Sequence, residues 1–340
     1  MSDPVFIVNT GRCGSTLLAR MMRENRDWLV LSEYLSYLSS RALSRRRLDG
    51  EGYWRLLSTQ SPVLREMHLA GQKQPEVLYE QGRHGPWPLH EAPAIMLAAL
   101  PFLSQTPVPL YERLAAEIRP RRMAPLADHM RAVFAALADA TGRRVWIERT
   151  GDSLLLTGRL AQMFPQARFV HLHRDGRDVA ISMRGKPDFR AKVAYFGQLR
   201  RIGLSPYRPD FAYGVARWHE WVEAVGARCL DVHQVTDADV SLQECGRHWS
   251  WSVEAGLAEL ARVPPERVLT IGYEELLDDP RSTLRRLANF TGEVQPDTAW
   301  LERAAAMAAP AVSHYDRLPA RDRAELDLAC RTGLRLLGYV

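Results

Sequence analysis

The residues of this sequence best suited to chemistry form a short turn near its start. An apolar run at residues 5–8 is followed by a turn with two glycines and then directly by a helical pattern. The first N–H groups of a helix lack intrahelical partners and carry partial positive charge, so they can bind an anion. Glycine lets the backbone adopt positive φ and approach a ligand closely. The turn therefore predicts a phosphate- or sulfate-binding loop, with the residues Gly11, Arg12, Cys13, Gly14, Ser15 and Thr16.

Two other kinds of phosphate-handling loop do not fit this turn. The P-loop of nucleoside triphosphatases carries a lysine between its last glycine and its Ser/Thr, whereas here Gly14 is followed directly by Ser15. A cysteine phosphatase has an arginine six positions after its nucleophile, and Ala19 stands at that distance from Cys13. For the loop taken alone, an ordinary strand-to-helix turn remains the alternative.

Charged side chains follow three further apolar runs. Glu33 comes after residues 28–31, Arg149 ends the run that begins at residue 145, and Arg174 follows residues 168–173. In open α/β sheets, ligands bind beyond the carboxyl ends of the strands. We therefore expect these three side chains to face the same crevice as the loop.

The elements that must position these residues alternate between strand and helix. Repeats of strand, polar turn and helix predict a doubly wound, P-loop-like parallel α/β sheet flanked by helices. The predicted strands are 5–8, 28–31, 145–148, 168–173 and 268–271, and the predicted helices include 15–25, 152–163, 280–291, 297–307 and 320–337.

Two long segments carry no strand signal of this kind. Residues 35–140 contain many prolines and are predicted to be helices joined by loops, which form a lid beside the sheet. Residues 187–215 are interpreted as irregular and aromatic, and a helix is expected at about 216–228. The variable segments 35–140 and 187–260 are the expected acceptor-binding regions.

Composition limits the classes of protein to which the chain can belong. Its 340 residues suffice for one large α/β domain or two smaller ones, and 46% hydrophobic and 25% charged residues are ordinary for a globular protein. We predict a single domain over 1–340. A net charge of +5 suits an anionic ligand but is too diffuse to indicate nucleic acid. The four cysteines show no C-x-x-C spacing, so no metal site is expected.

With no signal peptide and no apolar run long enough to span a membrane, the protein is expected to be cytoplasmic. The strong arginine bias is typical of a bacterium.

Four stretches, in order, resemble the sulfotransferases that use 3′-phosphoadenosine-5′-phosphosulfate (PAPS). Residues 10–18 resemble the arginine-bearing 5′-phosphosulfate loop of tyrosylprotein, carbohydrate and bacterial members, and residues 164–182 resemble the 3′-phosphate-binding strand and helix. Residues 148–150 are similar to the strand end that bears a lysine in the family, and residues 272–292 are similar to its C-terminal pattern. The resemblance does not cover residues 35–140 or about 187–260.

The resemblance implies a role for several residues. The loop would hold the 5′-phosphosulfate, and Arg174 with Ser182 would hold the 3′-phosphate. Glu33 lies at a spacing from Arg12 similar to that of the catalytic glutamate of tyrosylprotein sulfotransferases, so it would be the general base, with Arg12 and Arg149 as the other catalytic residues. Tyr273 would border the adenine and Ser313 would close over the donor. PAP would be the product, and no metal would be required.

Several alternatives stay open at this stage. The rivals of Glu33 as base are His68, His84, His90 and His173. A small-molecule kinase with a degenerate P-loop, or an inactive nucleotide-binding protein, would share part of the pattern. The expected acceptor is a hydroxyl of a carbohydrate, lipid or secondary metabolite, with no nucleic-acid or membrane partner, and the oligomeric state is not predicted.

Overall fold

The computed structural model describes residues 3–38, 43–208, 238–293, 295–310 and 312–340. Its centre is a sheet of five strands in the order β2-β5-β1-β6-β7, with every neighbouring pair parallel. These strands are β1 (Val5–Val8), β2 (Trp28–Ser32), β5 (Val145–Arg149), β6 (Arg168–His173) and β7 (Val268–Gly272). The predicted doubly wound parallel sheet is confirmed.

Strand β1 shows why the sheet lies at the centre of the protein. All four of its residues are buried. Successive side chains of a strand point to opposite faces, and here Phe6 and Val8 pack into one hydrophobic core while Val5 and Ile7 pack into another. A continuous apolar run is typical of a parallel strand that helices cover on both faces.

Helices cover the sheet and follow most of its strands. In chain order they are α1 (Ser15–Arg23), α2 (Tyr34–Tyr37), α3 (Gly50–Ser58), α4 (Pro62–Leu69), α5 (Ala94–Leu97), α6 (Ala99–Leu103), α7 (Val108–Ile118), α8 (Leu126–Thr141), α9 (Thr157–Met163), α10 (Gly176–Arg184), α11 (Pro187–Arg201), α12 (Leu242–Leu260), α13 (Tyr273–Asp278), α14 (Pro280–Thr291), α15 (Thr298–Ala305) and α16 (Ala320–Leu336). None of the described helices is long and apolar enough to cross a bilayer.

The structure differs from the sequence-based expectations in two segments. The stretch interpreted as irregular from residue 187 contains helix α11, which Pro187 begins at its first turn. The 35–140 segment is mainly helical, as expected, but also holds a two-residue antiparallel pair, β3 (Arg47–Leu48) with β4 (Ala124–Pro125). The predicted helix at 216–228 lies outside the described residues.

Candidate active site

The glycine turn connects β1 to α1 in an unusual backbone conformation. Gly11 and Gly14 have φ of 76° and 85°, and Arg12 between them also has positive φ, at 56°. A Cβ on Gly14 would lie 2.1 Å from the ring of Tyr273, so this position has no room for a side chain. The turn brings the start of α1 to the carboxyl edge of the sheet, where its first N–H groups face outward.

Asn9, the residue before the turn, ties the loop to the neighbouring strand end. Its Oδ1 accepts hydrogen bonds from the N–H groups of Gly11 (2.8 Å) and Asp152 (3.2 Å), and its Nδ2 donates to the carbonyl of Thr150 (3.0 Å). Asn9 is completely buried. The side chain therefore fixes the loop relative to the end of β5.

Glu33 and Arg149 form a buried ion pair at the ends of β2 and β5. The Ser36 hydroxyl donates to Glu33 Oε2 (2.5 Å), and the Gly151 N–H donates to the same oxygen (3.1 Å). Glu33 has φ of 58°, which an ordinary side chain adopts only at a cost in free energy. The backbone and three neighbours thus aim this carboxylate at one place.

Arg149 connects this pair to the loop. Its Nε and Nη2 donate to Ser15 Oγ (3.0 and 2.5 Å), Nη2 also donates to Thr16 Oγ1 (2.9 Å), and Nη1 donates to Ser32 Oγ (3.2 Å) and to Glu33. All five N–H groups of the guanidinium therefore have protein acceptors. Arg149 is placed to position the glutamate and the two loop hydroxyls.

Arg12 reaches from the loop to helix α10. Its Nε donates to Ser182 Oγ at 3.1 Å, and its Nη1 lies 3.5 Å from a carboxylate oxygen of Glu76. Arg174, just after β6, lies over the Tyr273 ring with its Cζ 4.8 Å from the ring centroid and has Asp178 at 3.7 Å. The loop, the β6 end and α10 thus meet around the same space.

That space, the loop cleft, has a volume of about 380 Å³. The sequence-predicted residues that line it are Gly11, Arg12, Gly14, Ser15, Thr16, Glu33, Arg149, Arg174 and Ser182. The described non-glycine residues with positive φ are Arg12, Glu33 and Asp152, and all of them line the cleft. Such strain is concentrated at functional sites.

Three expected cofactor residues do not line the loop cleft. The Cys13 side chain is buried in the core, and burial raises its thiol pKa to about 11, so the thiol is not poised as a nucleophile. Tyr273 packs between Gly14 and Arg174. Ser313 precedes His314, whose N–H donates to Asp178 Oδ1 (2.8 Å), so this segment is bonded to α10.

The histidines considered as rival bases are also absent from the lining of this cleft. His68 is held between Gln60 and Gln74, and burial lowers its pKa. His173 bonds Tyr339 at 3.0 Å. Glu33 is therefore the candidate base that the fold brings to the loop.

Sequence reasoning missed several residues of the cleft. Glu76 and Asp188 face it with carboxylates, and Ser36, Tyr37 and Phe189 also line it. Burial raises the pKa of Glu76, with smaller contributions from Glu33 and Asp188. Asn9 carried a usable signal, because an Asn directly after a buried strand often bonds nearby backbone N–H groups. Glu76 and Asp188 lie in the segments where no motif was available.

The comparison with models of protein families identifies one family. The sequence model of the sulfotransferase family matches residues 4–235 and 231–297. None of the curated proteins compared with the chain matches it.

Solved structures with a similar arrangement include bacterial sulfotransferases. The sulfotransferase domain from the curacin biosynthetic pathway is 14% identical, with a TM-score of 0.48 over 100% of this chain and 99% of that chain. The sulfotransferase domain of the Synechococcus PCC 7002 olefin synthase is 18% identical, with a TM-score of 0.45 over 100% and 96%. Sulfotransferase STF9 of Mycobacterium avium is 15% identical, with a TM-score of 0.45 over 98% and 76%.

The family model matches most of the chain, and the parallel sheet carries the glycine turn and the start of α1 at its carboxyl edge. The chain belongs to the sulfotransferase family.

Proposed function

We propose that this sulfotransferase uses PAPS as its donor and transfers the sulfuryl group to a hydroxyl of a small-molecule or glycan acceptor. The observation that carries the proposal is the hydrogen bond from Arg12 to Ser182 at 3.1 Å. It joins the loop to the helix expected to hold the 3′-phosphate, and Arg174 lines the same cleft. Two cationic positions in one crevice suit a donor with an anionic group at each end.

The residues of the cleft divide between the two ends of such a donor. The N–H groups at the start of α1 and the guanidinium of Arg12 would hold the 5′-phosphosulfate, while Arg174 and Ser182 would hold the 3′-phosphate. PAPS supplies a sulfuryl group already bonded to a good leaving group. Negative charge grows on the 5′-phosphate as that bond breaks, and fixed dipoles and a cation at this point stabilise it.

Glu33 is proposed as the general base. The acceptor hydroxyl gives its proton to the Glu33 carboxylate as its oxygen forms a bond to sulfur. The bond from sulfur to the 5′-phosphate breaks in line, and its electron pair leaves with the phosphate. The hydrogen bond from the Ser36 hydroxyl to Glu33 shows that this carboxylate accepts from a hydroxyl in the cleft. Arg149 would position Glu33 rather than touch the acceptor, since its N–H groups are occupied.

One feature of the cleft opposes an anionic donor. Glu76 lies beside Arg12 and Asp188 faces the same space, where its buried Oδ1 has no hydrogen-bond partner among the described residues. Because burial raises its pKa, Glu76 can take up a proton more readily than a free glutamate. Donor binding would then require Glu76 to be protonated or to release Arg12.

Ligand binding and transfer assays test the proposal together. We expect PAP to raise the melting temperature of the protein and to bind with at least 10-fold higher affinity than ATP, because ATP lacks a 3′-phosphate for Arg174. With ³⁵S-labelled PAPS, a panel of hydroxyl acceptors should give at least one labelled product. Equal affinity for ATP and PAP, or tighter binding of ATP, would overturn the assignment of the donor.

A further inference from the structure

A second cavity adjoins the loop cleft and differs from it in charge. This space, the arginine cavity, has a volume of about 620 Å³ and is lined by six arginine and lysine side chains but only two carboxylates, Glu76 and Glu80. Arg12, Thr16, Glu76 and Arg149 line both spaces, so the two meet at Arg149, which pairs with Glu33. An acceptor reaching that pair through this cavity would pass the remaining cations.

Three of those cations have no carboxylate partner among the described residues. Arg83 is paired with Glu80 at 3.3 Å, whereas Arg20, Arg23 and Lys186 form no salt bridge within the described part of the chain. Arg23 is nevertheless fixed in place: its Nη1 donates to the carbonyl of Phe102 at 2.9 Å, and its Cζ lies 4.8 Å from the Phe102 ring centroid. An oriented cation without a counter-charge is a binding position for an anion.

The spacing along α1 gives a length scale for the cavity, measured from Thr16, which lines both spaces. Thr16, Arg20 and Arg23 are four and then three residues apart, so they lie on one face of the helix. At 1.5 Å per residue, Arg23 lies about 10 Å along the axis from Thr16. Thr16 in turn contacts Arg149, the partner of Glu33, at 2.9 Å. Cations in the last turn of a helix also offset its dipole, but that role does not require them to converge with Lys186 on one cavity.

We propose that the acceptor of this enzyme is itself an anion, with a carboxylate, sulfate ester or phosphate ester about 10 Å from the hydroxyl that is modified. This inference rests on the proposed function and names its acceptor class. Arg20 and Arg23 bind the anionic group, Lys186 adds to the positive field, and the hydroxyl lies at Glu33.

Flexible matched probes can test both the charge and the distance. The protein is first saturated with PAP, so that an anionic probe cannot enter the loop cleft, and the affinities of 8-hydroxyoctanoate and neutral 1,8-octanediol are then measured by calorimetry. In these probes the two ends are about 10 Å apart when extended. Separate arms with 8-hydroxyoctyl sulfate and 8-hydroxyoctyl phosphate identify the preferred anion.

We expect at least one anionic probe to bind about 10-fold or more tightly than the diol, with an affinity that falls as salt concentration rises. The double variant Arg20→Ala/Arg23→Ala should remove that advantage. Arg285→Ala is the matched control, because Arg285 is an exposed arginine of α14 that does not line the cavity, and it should keep the advantage.

Each other result overturns the inference. Equal affinity for the diol and the anionic probes, no binding of any anionic probe at 10 mM, or an unchanged advantage in the double variant would do so. A loss of PAP affinity in the double variant would instead assign the two arginines to the donor. If wild-type protein fails to bind PAP in the first step, the proposed function fails, and the two failures are thereby distinguished.

Discussion

The loop cleft and the arginine cavity share lining residues but differ in how their cations are paired with carboxylates. In the cleft, Arg12 lies beside Glu76, Arg149 beside Glu33 and Arg174 beside Asp178. In the cavity, Arg20 and Arg23 have no carboxylate partner among the described residues. Each arginine that lines the cleft lies beside a carboxylate, whereas the cavity also holds Arg20, Arg23 and Lys186, which form no salt bridge within the described part of the chain.

The difference has a physical reason. Arg149 is almost completely buried, and a buried charge without a partner is strongly unfavourable. The cations of the cleft thus lie beside carboxylates. We propose that Glu33 among these acts as the base and that Glu76 is protonated or releases Arg12 when the donor binds. Arg20 is exposed to water and needs no such partner. Under our proposals, the paired region is organised before the donor binds, whereas the unpaired region gains its counter-charge from the acceptor.

The largest expected effect is at Glu33. Glu33→Gln keeps the shape of the side chain and its contact with Arg149 but cannot accept a proton, so turnover should fall by about 10²- to 10⁴-fold. PAP affinity should stay within about threefold of wild type. Glu148→Gln is the control, because Glu148 is the adjacent buried carboxyl on β5 and does not line the cleft. Unchanged sulfuryl transfer in Glu33→Gln would remove Glu33 as the base.

Arg174 comes next. A hydrogen bond to a charged group contributes about 1.5–3 kcal/mol, so Arg174→Ala should weaken PAP binding by roughly 10- to 100-fold. Arg177→Ala is the matched control: Arg177 lies on α10 but pairs with Asp175 and has Asp327 at 3.4 Å, outside the loop cleft. Calorimetry measures the PAP affinity of both variants. An equal loss of affinity in the two would contradict the assignment of Arg174 to the 3′-phosphate.

Substitution of Glu76 should strengthen PAP binding, in contrast to substitution of Arg174. Glu76→Gln removes the carboxylate beside Arg12 and should tighten PAP binding about three- to tenfold at pH 7.5. Because the pKa of Glu76 is raised, the wild type should approach the variant as pH falls and Glu76 takes up a proton. The ratio of the two affinities, measured between pH 5 and 8, cancels the protonation of PAP itself. A ratio that does not change with pH would show that Glu76 does not compete for Arg12.

The smallest effect concerns stability. Burial raises the pKa of Glu148 from 4.5 to about 8. The folded protein therefore binds more protons than the unfolded chain between these values, and stability falls as pH rises through this range. Glu148→Gln should remove that loss and raise the melting temperature at pH 8.5 by about 2 °C or more relative to wild type, with little difference at pH 4.5. Melting curves at both pH values test this, and a constant difference would contradict it.

The sequence by itself determined the parallel sheet, the glycine turn that leads into α1, and the positions of Glu33, Arg149 and Arg174 at strand ends. These features are local: a run of four to six residues with strand character, a glycine turn and a helical period each follow from a few neighbouring side chains. Since parallel strands align their carboxyl ends, local order was sufficient to gather these residues at one edge.

The tertiary structure alone decided which charges meet in the cleft. Glu76 and Asp188 come from segments without a recognisable pattern, and only packing brings them to the cleft that Arg12 lines. Likewise, the sequence could place Arg20 and Arg23 on a helix, but it could not predict which residues face them across the cavity. The partner of a charge depends on contacts between residues far apart in the chain, and no local pattern encodes such contacts.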